Sequence, residues 1–282
     1  MHTVIVGDAV CFPSFSFPMA QVFTIGKMIR SCAMPMTTEQ TNLLLAEYAD
    51  RYETADFLTG DPSWFMHQVE GRANQETMAF IASCLSYGSR KQFFPKIQYM
   101  LDCSGGKTYD WVASGAFAND MPDDKTCFYR LYTRHAMRVF LSALRDMLCQ
   151  YGSIGQYVAA NAHDGLSAVT AICAFFHAKG VEGIVPKDAS SACKRVCMFL
   201  RWMVRDGSPV DLGLWSGIVD KRTLIMPMDA HVVQEAMRLG LLSGKGASMA
   251  AARRLTARMA EVFPDDPLKG DFALFGYGVN NG

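Results

Sequence analysis

An all-α fold is what this sequence predicts, and three observations predict it. Apolar residues recur at helical spacing through most of the chain after residue 37. Alternating apolar and polar runs of the strand type are almost missing, and Gly, Ser, Asp and Asn stand where the periodic stretches begin and end. The chain has 282 residues, 50% hydrophobic and 19% charged, which is enough apolar material for a core and excludes a disordered chain. No run reaches the ~18 uninterrupted apolar residues of a membrane helix. The richest run, Leu166 to Ala178, reads instead as a buried helix.

Taken in order, residues 1–36 are rich in Met, Phe, Pro and Ser and carry no sustained period. Asp8 interrupts what would be the apolar core of a secretory signal, so the segment reads as a poorly ordered extension ahead of a domain spanning 37–282. Thr37-Thr38-Glu39-Gln40 is a capping signature that opens a helix to about Tyr52. Asp61-Pro62 opens a short helix through His67, and Asn74 is expected to cap a long one, Gln75 to Tyr87, ended by Gly88. A helix over 89–103 breaks at Ser104-Gly105-Gly106; Asp120 to Asp124 is a loop; Cys127 to Tyr151 is a long amphipathic helix stopped by Gly152. Further helices are expected at Ile154–Ala162, Gly165–Lys179, Ser190–Arg205, His231–Leu239, Ser248–Val262 and Asp271–Tyr277.

The nine cysteines are scattered and include no C-x-x-C pair, so they read as reduced, mostly buried thiols of a cytosolic protein. No pair of His stands at ligand spacing with a carboxylate, and no four cysteines are grouped for an iron–sulfur cluster. Neither a metal nor another cofactor is expected.

The 27 basic and 27 acidic residues balance, but not locally. From Met36 to Glu76 eight acids face Arg51 and Arg72, whereas from Lys187 to Arg205 five bases face only Asp188. The second stretch reads as a surface turned toward a polyanion. Arg130, Arg134 and Arg138, at helical spacing, form a second candidate stripe for a nucleic-acid backbone.

Two segments carry candidate chemistry. In Asp188–Arg205, the residues Ala192, Val196, Phe199, Leu200 and Met203 share one face and belong in the core, while Lys194, Met198, Arg201 and Arg205 share another. Lys194 falls in the first turn, where the helix field opposes a cation; that field, burial and the like charge of Arg195 would favour a neutral, nucleophilic amine. In Met226-Pro227-Met228-Asp229-Ala230-His231-Val232, Asp229 is placed to cap the next helix, and a cap holds its charge in a fixed position.

These residues carry a resemblance. The helix Phe80-Ile81-Ala82-Ser83-Cys84-Leu85-Ser86-Tyr87-Gly88, the Lys194 helix, the run Pro227 to Val232 and the terminal Asp271-Phe272-Ala273-Leu274-Phe275-Gly276 resemble the helix-hairpin-helix DNA glycosylase superfamily. The arrangement is most similar to the archaeal 8-oxoguanine DNA glycosylases. Nearly the whole chain after residue 37 also resembles a bacterial family of uncharacterised proteins with the signatures C-K-R-x-x-x-F-L-R-W-M-V-R and D-F-A-L-F-G.

The resemblance implies two helical lobes around a cleft and a bifunctional DNA glycosylase/AP lyase that excises an oxidised purine, such as 8-oxoguanine, through a lysine Schiff base. Lys194 would be the nucleophile and Asp229 its electrostatic partner. Met198, Asp271 and Phe275 would form the base pocket. Ser190, Ser191, Arg195 and Arg201 are expected at the DNA backbone. The turn Val185 to Ser190 departs from the superfamily in lacking its glycine-bracketed phosphate loop, and Phe275 is smaller than the aromatic of the archaeal enzymes. The partner implied is double-stranded DNA with a damaged base, met by a monomer in the cytoplasm at the nucleoid. Two other readings stand beside it: a non-catalytic DNA-binding module on the same scaffold, and an all-α protein unrelated to nucleic acid.

Overall fold

The structure, a computed structural model, describes residues 36–281; the expected extension over 1–36, Met36 apart, lies outside the described residues. The all-α expectation holds. The first helix is α1 (Thr38–Tyr52), followed by 3₁₀ turns at Ala55–Leu58 and Pro62–His67. Then come α2 (Arg72–Leu85), α3 (Arg90–Ser104), α4 (Thr108–Ala113) and α5 (Phe117–Asp120). A hairpin of β1 (Cys127–Tyr129) and β2 (Tyr132–Thr133) leads into α6 (Arg134–Tyr151), α7 (Ile154–Asn161), α8 (Gly165–Ala178) and α9 (Lys194–Val204). The chain ends with α10 (Ala230–Arg238), α11 (Met249–Ala260) and α12 (Lys269–Asp271), a π-helical turn at Phe272–Gly276, and α13 (Tyr277–Asn281).

Contacts sort these elements into two groups within one compact unit from Thr38 onward. In the first, α1 packs on the π-helical turn and α12, and α10 packs on the same turn and on α13. In the second, α2 is central and touches α3, α4, α9 and the Pro62–His67 turn, while α6, α7 and α8 continue the layer. Phe80, fully buried on α2, carries the second core: its ring meets Phe140 at 5.9 Å, Phe176 at 5.1 Å and Phe199 at 5.0 Å. The five residues assigned to the core from sequence are all buried: Val196, Phe199, Leu200 and Met203 on α9, and Ala192 in the non-helical segment just before it.

Several boundaries differ from the sequence reading. Cys127 to Thr133 does not begin the long helix. Its aromatic-rich residues pair as a hairpin whose turn residue Arg130 has φ 51°, and the helix starts only at Arg134, where the Thr133 hydroxyl accepts the Ala136 N–H at 3.1 Å. Asn74 is not a cap. The helix already begins at Arg72, and Asn74 instead binds the Glu70 carbonyl at 2.8 Å and the Tyr109 N–H at 3.0 Å, fixing α4. The segment Ser190–Cys193 is non-helical, and Ser191 forms an isolated bridge with Ser248.

A buried carboxylate joins two distant parts of the second group. Glu76 on α2 accepts the N–H groups of Ile154 and Gly155 at 2.9 and 3.0 Å and the Trp215 indole N–H at 2.7 Å. It thus sits at the N-terminus of α7 and satisfies donors that helix cannot pair internally. Burial pushes its carboxyl up, against these three hydrogen bonds, which pull it down.

Candidate active site

Lys194 is the first residue of α9, and the residue before it, Cys193, is held in the left-handed region at φ 46° without capping the helix through its side chain. A left-handed non-glycine residue is strained, and here it sets the direction from which α9 departs. Asp229 is the cap of α10: its Oδ1 accepts the His231 N–H at 3.0 Å. Its other oxygen, Oδ2, lies 2.5 Å from the Lys194 ammonium nitrogen. One carboxylate therefore both starts a helix and pairs with the lysine. Burial alone would raise the Asp229 carboxyl, but Lys194 and the His231 N–H outweigh it and hold the group below the usual carboxylate range.

The expected press of Arg195 on the lysine is corrected by the geometry. Arg195 turns away and donates to the Cys84 carbonyl at 2.8 Å, the Tyr132 hydroxyl at 2.7 Å and the Gly183 carbonyl at 2.9 Å. It ties α2, the hairpin and the loop before α9 together, and these acceptors occupy the fork that a phosphate would need. The resting partner of Lys194 is an anion and not a cation.

Lys194 and Asp229 open on a cavity of about 470 Å³, and Met198, Asp271 and Phe275 line it with them. All five residues assigned to the reaction or the base pocket thus meet in one place. Met198 lies one turn beyond Lys194, and the π-helical turn that follows Asp271 carries Phe275. Such a turn widens the helix locally and recurs at functional sites. Asp271 is buried and bonded to Arg201; burial pushes its carboxyl up to about 6, Arg201 pulls it down, and Asp211 and Asp229 add to the rise.

Arg201 does not stand at a DNA backbone. It is 3% exposed and paired with Asp211 at 3.2 Å and with Asp271. Next to it Arg205, 1% exposed, binds Asp266 at 2.8 Å, Glu53 at 2.7 Å and Asp211. Two of the five bases that suggested a polyanion-facing stretch are therefore internal, neutralised by four carboxylates, Glu53, Asp211, Asp266 and Asp271. A helical-wheel stripe cannot tell a solvated charge from a buried pair whose acids lie elsewhere in the chain.

The Arg130, Arg134 and Arg138 stripe also dissolves. Arg130 is in the hairpin turn, Arg134 pairs with Asp124 at 3.3 Å, and Arg138 donates to the carbonyls of Ala118 and Met121, both at 3.0 Å. Ser190 and Ser191 are exposed just before α9, but the Ser190 N–H is already spent on the Asp188 carboxylate at 2.9 Å.

The cavity also includes side chains beyond Lys194, Met198, Asp229, Asp271 and Phe275. Phe57 comes from the first 3₁₀ turn, Asp61 from the cap of the second, Arg90 and Phe93 from α3, and His231 from α10. For Asp61, Trp64 and His67, which open the short helix, the sequence offers a cleft lining and, favoured over it, a packing aromatic beside a surface histidine. Asp61 accepts the Ser63 N–H at 3.0 Å and borders the cavity. Trp64 and His67, by contrast, pack: Trp64 on Phe65, and His67 against the Val210 carbonyl at 2.8 Å.

Among the described residues no group of His, Cys, Asp and Glu is arranged to hold a metal ion, and the seven cysteines are free. Four of them, Cys84, Cys173, Cys193 and Cys197, are buried. No described helix is long and apolar enough to cross a membrane.

Comparison with known proteins assigns a family. Residues 61–280 match the family described as protein of unknown function (DUF2400), and the chain belongs to it. The match begins at Asp61 and takes in every cavity residue named above except Phe57. No curated protein and no solved structure matches the chain.

Proposed function

We propose that this chain is a DNA glycosylase with AP lyase activity that removes an oxidised purine through a Schiff base on Lys194. The observation that carries the reading is the 2.5 Å pairing of Lys194 with Asp229 on the wall of a cavity also lined by Met198, Asp271 and Phe275. About 470 Å³ is within the size range of small-ligand sites and accommodates an extruded nucleoside.

The chemistry runs as follows. Lys194 gives up a proton, for which Asp229 Oδ2 is the adjacent acceptor, and the free amine attacks C1′ of the nucleotide. The glycosidic C–N bond breaks, its electron pair leaving with the base, and Asp229 passes the proton on to the base, which restores its carboxylate. The sugar ring then opens: the C1′–O4′ bond breaks with its electron pair on O4′, one N–H proton of the attached amine passes to O4′, and the protonated imine forms between Lys194 and C1′. Loss of a C2′ proton then expels the 3′ phosphate. Asp229 faces the positive charge that develops on the sugar, where a fixed anion is most effective. Phe275 and Met198 offer an aromatic face and a polarizable flank to the base, and Asp271 offers a carboxyl to its edge.

Double-stranded DNA carrying the damaged base is the partner in this reading, met by a monomer at the bacterial nucleoid. The test is borohydride trapping on duplexes carrying 8-oxoguanine or an abasic site. A covalent adduct that Lys194→Gln abolishes is expected. No adduct with either duplex, or one that survives Lys194→Gln, defeats the proposal. Salt-sensitive duplex binding without any adduct would leave only the non-catalytic DNA-binding module.

A further inference from the structure

Arg90 opens α3, and its side chain lines the cavity. Its guanidinium carbon stands 5.6 Å from the centroid of the Phe275 ring, and among the described residues it has no carboxylate and no hydrogen-bond partner. The other charged groups that line the cavity are committed: Lys194 to Asp229, Arg201 to Asp211 and Asp271, and Asp61 to Ser63. A half-buried guanidinium beside an aromatic ring has lost part of its hydration, and the face of Phe275 restores only some of that loss. An anion entering the cavity would restore the rest.

The wall around Arg90 has the matching charge. From Thr77 to Leu101 the sequence has no carboxylate, and its bases are Arg90, Lys91 and Lys96. Gly88, two residues before Arg90, also lines the cavity, and a Cβ there would come within 2.6 Å of the Arg130 guanidinium. Arg130 in turn lies over the Tyr87 ring at 4.8 Å. The carboxylates that border the cavity come from other elements: the second 3₁₀ turn, the α10 cap and α12.

We propose that Arg90 is the phosphate contact of the cavity, taking a phosphodiester that flanks the extruded nucleotide, so that the cavity receives a nucleotide within a strand and not a free base or nucleoside. The planar guanidinium fork matches two phosphate oxygens, which a lysine in its place would meet only as a point charge. This inference rests on the nucleic-acid reading of the site.

The test measures binding of a duplex carrying a tetrahydrofuran abasic-site analogue, by fluorescence anisotropy over a range of salt concentrations. Wild type, Arg90→Ala and Arg90→Lys are compared on the normal duplex and on duplexes with one uncharged methylphosphonate 5′ or 3′ to the analogue. Arg90→Ala is expected to bind about tenfold more weakly at low salt. Its log–log salt slope should be smaller in magnitude by about 0.9, one phosphate's worth of released counterion. The methylphosphonate at one of the two positions should weaken wild type by a similar factor and leave Arg90→Ala unaffected, and Arg90→Lys should retain the slope. An unchanged slope in Arg90→Ala, or equal methylphosphonate penalties in wild type and variant, overturns the inference. If Arg90→Ala fails to fold, the comparison of wild type with Arg90→Lys on the methylphosphonate duplexes decides, since equal affinity for charged and uncharged linkages rejects the contact. A wild-type protein that binds no duplex refutes the nucleic-acid reading itself; a wild type that binds while Arg90→Ala matches it refutes only the role of Arg90.

Discussion

The ammonium of Lys194 lies 2.5 Å from Oδ2 of Asp229, a residue 35 positions later in the chain, and the other oxygen of that carboxylate caps α10. These two duties can be separated by substitution. Asn caps a helix about as well as Asp but carries no charge. Asp229→Asn is expected to reduce single-turnover excision by about 100-fold or more while changing the melting temperature little. Asp229→Ala should lose the activity and in addition about 1 kcal/mol of stability. An Asp229→Asn protein that excises at the wild-type rate would show that the charge has no part in the chemistry.

Asp271 gives a pH prediction. Its carboxyl, pushed up to about 6 in the folded protein chiefly by burial, ordinarily titrates near 3.8. The folded state therefore holds this proton more tightly than the unfolded chain. The stability it contributes is fully present below pH 3.8 and is lost as pH rises through about 6. Urea melts of wild type and Asp271→Asn between pH 4 and 7.5 should show the wild type falling relative to the variant across that window. Parallel curves would place the titration elsewhere.

The buried arginines are expected to be brittle. Arg205→Met leaves Asp266, Asp211 and Glu53 without their shared cation. Removing one side of a buried ion pair costs about 3–5 kcal/mol, or roughly 10 °C in melting temperature for a domain of this size. Neutralising an abandoned acid as well, in Arg205→Met with Asp266→Leu, should recover part of the loss in thermal melts.

Gly165, the first residue of α8, is tightly enclosed. A Cβ there would lie 2.4 Å from the Thr223 carbonyl oxygen and 2.8 Å from the Leu224 Cα, both backbone atoms that cannot rotate away. Gly165→Ala is expected to destabilise the protein by about 1–3 kcal/mol in denaturant melts. Gly180→Ala, at the end of the same region, has open space around it but sits at φ 76°, so its cost is conformational and smaller, about 1 kcal/mol.

Helix identity was legible because it is local. The apolar spacing of Val196, Phe199, Leu200 and Met203 and the cap at Asp229 work within one or two turns, and each is present in the structure. The hairpin over Cys127–Thr133 was not legible, since a short aromatic run satisfies a helix or a strand equally until Tyr129 and Tyr132 find their carbonyl and guanidinium partners on Tyr87 and Arg195. Lys194, Met198, Asp229, Asp271 and Phe275 were singled out by motif and resemblance, and the cavity gathers all five. Arg90 and Phe57 had no such signal.

The sequence by itself determined the all-α class, most helix limits and the core face of α9; the pairing of Lys194 with Asp229 it offered only through a resemblance. Tertiary structure alone decided which charges are solvated. Arg201 and Arg205 share a wheel face with Lys194, yet both are sealed against acids off their helix, Asp211 just beyond it and Glu53, Asp266 and Asp271 from distant segments, while Lys194 is 34% exposed at its side chain. The reason is physical: helical periodicity is fixed by 3.6 residues per turn, but the environment of a charge is set by whatever packs opposite it, and that partner is not its neighbour in the chain.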